Sequence, residues 1–159
     1  TRMVEWDHSE SRKVDQVMGA FFFIRRALFE ELGGFDEHFF VYFEEVDLSK
    51  RSSDAGWGSW YLADAKAMHY GGGSSENVKA LRLFYSLRSR IIYSRKHFSF
   101  AQFLAVLLFT LTTEPVVRIA RAMARLRAEE AMHTLKAYRL LVAYLSKPFG
   151  NRTRNHTAS

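Results

Sequence analysis

The chain has 159 residues, 48% hydrophobic and 15% aromatic, so it is long and apolar enough to form a domain with a core and is not disordered in composition. It has no cysteine, which excludes disulfide bridges and thiolate metal sites. Residues 1–80 carry 9 Lys/Arg against 14 Asp/Glu (net −5), and residues 81–159 carry 14 against 3 (net +11). This asymmetry predicts an acidic working half and a basic tail that meets an anionic partner, although a solvated basic helix surface explains the tail equally well.

The first eighty residues predict short, mixed elements. Residues 1–15 are polar and predict a loop, and the apolar run 17–24 has the length of a buried strand. The stretch "RRALFEELGG" predicts a helix that stops at its glycine pair. "EEVDLSKRSSDAG" predicts a second helix with acids in its first turn, where the helix dipole favours them. "WGSWYLAD" and "AKAMHY" predict two short strands.

From residue 77 the chain becomes helical in pattern. Residues 77–97 alternate apolar and basic side chains at helical spacing. The sixteen uncharged residues 98–113 fall short of the roughly 20 needed to span a bilayer, and suit either an interfacial helix or a buried one. Pro115 interrupts the pattern, after which we expect one long helix. Residues 151–159 are expected to be disordered.

Three acids stand out because they directly follow an aromatic run. Glu44, Glu45 and Asp47 come after "HFFVYF", which suggests that they enter a cleft rather than open solvent. On a helix, positions 44 and 47 share a side and position 45 points elsewhere. Acids at a helix start also serve as ordinary caps, and the residues alone leave both interpretations open. His69 alone is likewise either a metal ligand or a half-buried histidine.

The order of the motifs "GGFDEHFFVYFEEVDL", "YLADAKAMHYGG" and "RSRIIYSRKH" resembles glycosyltransferase family 2, in particular its rhamnosyltransferase-like members, which build bacterial surface polysaccharides. The resemblance covers about residues 14–97. It implies an α/β fold, the C-terminal part of a GT-A (Rossmann-like) domain, followed by a mostly helical basic tail. The implied parts are an acceptor-side half (1–76) and a basic amphipathic helix that closes the domain (77–97). The tail (98–150) is only loosely similar to the family, and its own pattern predicts helices that are either membrane-interfacial or buried, before the disordered terminus (151–159).

The resemblance also implies an activity. It indicates an inverting hexosyltransferase that moves a sugar from a nucleotide-sugar donor to a glycan or lipid-linked glycan acceptor. The family pattern is Glu-Asp-x-Asp, whose second acid is the general base; that position is Glu45 here, with Asp47 as the reserve candidate. Glutamate in place of aspartate keeps the carboxylate and lengthens its reach by one methylene. A carboxylate within about 3 Å of an acceptor hydroxyl could take its proton.

Further residues take roles by the same resemblance, each with an ordinary structural explanation beside it. The leaving diphosphate calls for Mg²⁺ or Mn²⁺. Because no Asp-x-Asp motif appears before residue 14, we expect the main metal ligands upstream and the isolated chain, a C-terminal half, to be inactive. The candidates are Asp36, Tyr42, Glu44 and Trp57 for the acceptor, Arg88 and Arg90 for phosphate, and His69 for the metal.

The basic tail sets the expected partners and location. We expect a cytoplasmic protein that lies peripherally on the inner face of the plasma membrane and meets an anionic lipid surface. The alternative is a non-catalytic basic helical module that binds membrane, nucleic acid or a partner protein. No known nucleic-acid motif is present, so nucleic acid is not the expected partner.

Overall fold

The computed structural model describes residues 6–68 and 78–147, which form two compact units. The first unit comprises residues 6–37 and 44–68, and the helical unit comprises residues 38–43 and 78–147. The elements are β1 (Arg12–Val14), a 3-10 turn (Gly19–Phe21), α1 (Arg26–Glu31), α2 (Glu44–Asp54), β2 (Ser59–Tyr61), α3 (Lys79–His97), α4 (Phe100–Leu111), α5 (Thr113–Ala124) and α6 (Ala128–Leu145).

The first unit contains a two-stranded antiparallel sheet. β1 pairs with β2 so that Lys13 lies opposite Trp60. Trp6 covers one end of this sheet, with its ring edge-on to Tyr61 at 4.9 Å and under the guanidinium of Arg12 at 4.3 Å. β2 confirms the first of the two predicted short strands, whereas β1 lies in a stretch that was predicted to be a loop.

The two helices of the first unit begin and end where the sequence predicts. α1 stops at the glycine pair, where Gly33 and Gly34 both have φ of +74° and the Gly34 N–H donates to the Phe29 carbonyl at 2.8 Å. α2 carries its acids in the first turn and is followed by Gly56, with φ of +86°. Leu28 and Leu48 are the buried leucines of these helices.

The strand predicted over residues 17–24 is wrong. Gly19–Phe21 winds into a 3-10 turn, and Met18, Phe21 and Phe23 are largely exposed. An apolar run has the pattern of a buried strand, but a strand also needs a neighbour to satisfy its backbone hydrogen bonds. Among the described residues, no strand pairs with this run. Residues 65–68 of the second predicted short strand are not extended in a sheet either, and residues 69 and 70 lie outside the described part.

The helical unit confirms two predicted helices and divides a third. α3 and α4 match the predicted segments, and α4 starts with a capping box between Ser99 and Gln102. α4 and α5 form one kinked helix, because Pro115 lacks the N–H that would bond to the Leu111 carbonyl. The long helix expected afterwards instead breaks between α5 and α6, at Leu126, whose φ is +55°.

The core of the helical unit lies between α3 and α6, with α4 packed against it. Leu87, Ile91 and Leu141 are buried there. The apolar residues around them, all partly buried, are Leu83, Phe84, Phe103, Leu107, Leu111, Tyr138 and Leu145. The GT-A class predicted for the complete domain needs a larger sheet than these two strands and stays a prediction.

Candidate active site

The carboxylate of Glu45 lies at the start of α2, against the 3-10 turn. A methyl group built on Gly19 would lie 3.5 Å from Glu45 Cδ, so the side chain packs directly over the glycine. Glu45 Oε2 is enclosed and has no hydrogen-bond partner among the residues that the structure describes. An enclosed, unpartnered carboxylate oxygen is costly for a folded protein, and such groups recur where a ligand or a proton is to be accepted. The arrangement fits a general base that can take a proton from a substrate hydroxyl.

Glu44, its neighbour in the same turn, is also half-buried. Burial raises the pKa of the Glu44 carboxyl, and the adjacent charge of Glu45 raises it further, against a backbone hydrogen bond that lowers it. Glu44 Oε2 is enclosed and finds no partner within the described part of the chain. Two neighbouring carboxylates with enclosed oxygens can divide their work, one accepting a proton while the other accepts hydrogen bonds from substrate hydroxyls.

Asp47 is held in an ion pair inside the first unit. Its side chain is 0% exposed, and Oδ2 accepts from Arg51 Nε at 2.8 Å. The same guanidinium donates to the carbonyls of Leu32 and Gly34, each at 2.7 Å. Arg51 thus ties the C-terminal end of α1 and the glycine turn to α2. We call this group, Asp47 with Arg51 and the two carbonyls, the arginine clamp. Its geometry suits a positioning role better than proton transfer.

The predicted acceptor residues are distributed over both units. In the first unit, Asp36 is half-buried in the turn that follows the glycine pair, and Trp57 follows α2. The Trp57 ring is 44% exposed and lies 5.5 Å from the guanidinium carbon of Arg25. Tyr42 belongs to the helical unit, where its hydroxyl accepts from Arg82 Nε at 3.1 Å.

The backbone just before α2 takes an unusual path. Tyr42 and Phe43 have φ of +65° and +71°, in the left-handed region that bulky side chains rarely adopt. Such residues cost about 1–3 kcal/mol each and persist only where the surroundings impose them, most often near functional sites. Nearby, the Val41 carbonyl accepts from the Ser89 hydroxyl at 2.9 Å, which holds this segment within the helical unit.

The two arginines predicted for phosphate have different surroundings in the helical unit. Arg88 is buried, donates to the His38 carbonyl at 3.3 Å and lies 4.8 Å from the centre of the Tyr144 ring. Arg90 donates to the Thr110 hydroxyl at 3.0 Å and is paired with Glu114. The charge of Arg90 is therefore matched within the unit, and phosphate binding by either arginine stays a prediction.

In the described part of the chain, no cluster of possible ligands supports the predicted metal site. Residues 6–68 and 78–147 contain no group of three or more histidine, aspartate or glutamate side chains that could hold an ion. His69, the predicted ligand, lies outside the described residues. The residues described here do not by themselves fit a divalent metal.

Sequence reasoning missed two residues that shape this site. Arg51 could have been found as a local partner, since it stands four residues after Asp47 on one helix face. Its contacts with Leu32 and Gly34 span 19 and 17 residues, and no local pattern predicts them. Gly19 carries no signal for its position under Glu45 except that it is a glycine inside an apolar run.

Comparison with known proteins shows that part of this chain is similar in sequence to a sugar transferase. Over 82 residues, 52% of the chain, it is 37% identical to the N-acetylglucosaminyl-diphospho-decaprenol L-rhamnosyltransferase of Mycobacterium tuberculosis strain CDC 1551 / Oshkosh. Over that stretch it is homologous to a rhamnosyltransferase. The protein of the same name from strain ATCC 25618 / H37Rv matches equally well. The match covers 27% of the length of each relative, so the chain spans only a part of those proteins. No protein-family model and no solved structure matches the chain.

Proposed function

We propose that this chain provides the acceptor side and the general base of an inverting glycosyltransferase of family 2 and GT-A fold. It would move a sugar from a nucleotide-sugar to a lipid-linked glycan during the synthesis of a bacterial cell-surface polysaccharide. Homology with a rhamnosyltransferase that is named for a decaprenol-linked sugar supports the class of reaction. The structural observation that carries the proposal is the enclosed, unpartnered carboxylate oxygen of Glu45.

The chemistry follows from that carboxylate. An acceptor hydroxyl attacks the anomeric carbon of the donor sugar, and the new carbon–oxygen bond forms as the bond to the nucleoside diphosphate breaks. Attack from the face opposite the leaving group inverts the anomeric configuration. The hydroxyl proton passes to Glu45, which contributes about 10²–10⁴ in rate when the carboxylate is well placed. The nucleoside diphosphate leaves with the electron pair of the bond that breaks.

The arginine clamp would act through position rather than contact with substrate. It fixes the glycine turn on α2 and so sets the frame in which Glu45 meets the acceptor. A misplacement of about 1 Å can cost a factor of about 100 in rate, which gives a clamp of this kind a catalytic consequence. Glu44, with its raised pKa, is suited to hydrogen-bond an acceptor hydroxyl. The exposed ring of Trp57 is suited to stack on a sugar face.

The donor side of the reaction draws on residues that the described part of the chain does not supply. Mg²⁺ or Mn²⁺, when bound, would neutralise charge on the leaving diphosphate. The residues that the structure describes do not by themselves fit such an ion. Residues 1–159 also contain no Asp-x-Asp motif. We therefore expect residues 1–159 alone to transfer no sugar, and the whole protein that carries them to be the active species.

The test is a transfer assay on that whole protein. Labelled nucleotide-sugars, rhamnose first, are offered with an N-acetylglucosaminyl diphosphate attached to a short polyprenol, and the lipid product is extracted and counted. We expect labelled lipid product of inverted anomeric configuration, as judged by NMR. No transfer from any of a panel of nucleotide-sugars, or retention of configuration, would reject the proposal. Transfer by residues 1–159 alone would reject the division between donor and acceptor sides.

A further inference from the structure

The kinked helix α4–α5 presents an apolar face that the core of the helical unit does not use. It is 25 residues long, from Phe100 to Ala124, which by length and composition is enough to cross a membrane, and little of its most apolar part is buried. The six side chains that form this face are each between 39% and 67% exposed. We call this face the apolar stripe, which consists of Leu104, Leu108, Phe109, Val116, Val117 and Met123.

Helical spacing brings these side chains onto one continuous surface. Phe109, Val116 and Met123 recur every seven residues, and Leu104 and Leu108 stand one turn apart. The opposite side of α4 is occupied, because Phe103, Leu107 and Leu111 pack on the core. Leu104 and Leu108 border that core face, and Phe109, Val116 and Met123 carry the apolar surface around to the side of the helix that the core leaves exposed. Contiguous exposed apolar surface of this kind marks a site of interaction with a partner or a membrane.

The charge around the stripe selects the kind of partner. Arg121 lies one turn from Val117 and three residues before Ala124, so it borders the stripe along α5, and Arg125 follows one turn later. Residues 78–147 carry 13 Lys/Arg against 3 Asp/Glu, a net +10. Leucine, phenylalanine and valine bordered by arginine are typical of helices that lie in the boundary of an anionic bilayer.

The polar side chains of α5 argue against a helix that crosses the bilayer. Glu114 pairs with Arg90 and with Arg118, the latter at 2.8 Å, and Arg121 follows within a turn. Burying this row of charges in hydrocarbon would be costly, whereas at the headgroup level the long arginine side chains can reach water. An orientation in the plane of the membrane satisfies both the stripe and the arginines.

We propose that the apolar stripe docks on an anionic lipid surface, with Arg121 and Arg125 at the level of the headgroups. This inference does not rest on the proposed transfer function, because it concerns residues that take no part in the chemistry. It also deepens that function if both hold, since a lipid-linked acceptor is presented at such a surface. The occupant proposed is the bilayer, not a second copy of the chain.

Vesicle flotation tests the inference. The chain is mixed with vesicles of phosphatidylglycerol and phosphatidylcholine (3:7), or of phosphatidylcholine alone, at low salt and at 0.5 M NaCl. We expect flotation with the anionic vesicles at low salt, at least tenfold weaker binding to neutral vesicles, and a clear loss at high salt. The double variant Phe109→Ser/Val116→Ser should bind at least tenfold less, because each apolar side chain contributes more than a factor of about 10 when buried.

A matched control separates the stripe from exposed apolar surface in general. The double variant Leu135→Ser/Val142→Ser changes two similarly exposed residues of α6, seven positions apart, and should float like the unchanged chain. Circular dichroism of all variants checks that the helices persist. The inference is overturned by no flotation, by equal binding to neutral vesicles, or by equal loss in both double variants. Dimers that only the stripe variant abolishes, without lipid binding, would make a second copy the occupant and also overturn it.

Discussion

Each of the two units is stabilised internally by a different kind of interaction. In the first unit, one arginine side chain bonds two carbonyls and a fully buried carboxylate, and the segments between its short elements depend on that clamp. In the helical unit, Leu87, Ile91 and Leu141 form an apolar core between α3 and α6. Where regular structure is short, a polar side chain has to satisfy the backbone groups that a longer helix or sheet would satisfy internally.

The contrast extends to the work that each unit is proposed to do. The first unit carries carboxylates with enclosed oxygens, which suits proton transfer. The helical unit carries the net positive charge and the apolar stripe, which suits a lipid surface. All three tryptophans, Trp6, Trp57 and Trp60, belong to the first unit, so tryptophan fluorescence follows its unfolding. Far-UV circular dichroism follows mainly the helical unit, and the two signals allow the comparison to be tested.

Removing the clamp should have the largest effect. Arg51→Met leaves the buried Asp47 carboxylate without its guanidinium and two carbonyls without their donor. Losing one partner of such a pair costs about 3 kcal/mol or more. We expect the urea midpoint followed by tryptophan fluorescence to fall sharply, with a smaller change in the dichroism midpoint.

The neighbouring residue offers a control for this change. Lys50→Met breaks the exposed pair with Asp54 on the same helix and should cost less than about 1 kcal/mol. If Arg51→Met were no more destabilising than Lys50→Met, the clamp would not be what holds the first unit together.

Truncating the helical core should give the converse pattern. Leu141 is 0% exposed, and Leu141→Ala should cost about 2–4 kcal/mol through lost burial and a new cavity. The dichroism midpoint should move and the fluorescence midpoint should move less. Val142→Ala, at a position 57% exposed, should change stability by about 0.5 kcal/mol or less. Equal losses from the two substitutions would deny that the core lies between α3 and α6.

These two regions also differ in how well their sequences predict them. The helices follow from local signals: apolar periodicity predicts α3, and glycine stops predict the ends of α1 and α2. The strand over residues 17–24 fails because pairing depends on a partner that no local window contains. β1 is missed because three residues, "RKV", are too few to show alternation. The break at Leu126 is missed because no glycine or proline marks it.

In the candidate site too, the sequence predicts what depends on neighbouring residues and misses what depends on long-range contacts. Glu44, Glu45 and Asp47 are found from their position after an aromatic run at a helix start. What separates them is tertiary: Asp47 meets Arg51, which reaches the glycine turn, while Glu45 packs over Gly19. Such contacts depend on how α1, the 3-10 turn and α2 come together, and no spacing along the chain encodes that.

A smaller effect is expected from Tyr138, whose hydroxyl is enclosed and has no partner in the described residues. Tyr138→Phe should leave stability at pH 8 unchanged or raise it by up to about 1 kcal/mol, since no hydrogen bond is lost. Burial raises the pKa of Tyr138 to about 12. The unfolded chain therefore loses this proton first, and stability falls as pH rises above about 10. The phenylalanine variant should show less of this fall in urea titrations at pH 8 and 10.5. An identical fall would contradict the assignment to Tyr138.

The smallest effect concerns Glu44, whose pKa burial raises above its ordinary value of 4.5. The folded chain then holds this proton more tightly than the unfolded chain, so the contribution of Glu44 to stability decreases as pH rises through that range. Glu44→Gln removes the charge and should stabilise the first unit at pH 7 by at most about 0.5 kcal/mol. The gain should vanish below pH 4.5, as followed by tryptophan fluorescence. A gain that grows in acid would contradict the sign.

The rate of sugar transfer by Glu45→Gln tests the central claim most directly. In the whole protein that carries these residues, with saturating donor and acceptor, single-turnover transfer should fall by at least about 100-fold, because the amide cannot accept the hydroxyl proton. Glu31→Gln, an exposed glutamate of α1, serves as the control and should keep the original rate. A Glu45→Gln rate within threefold of the unchanged protein would contradict the assignment of Glu45 as the base.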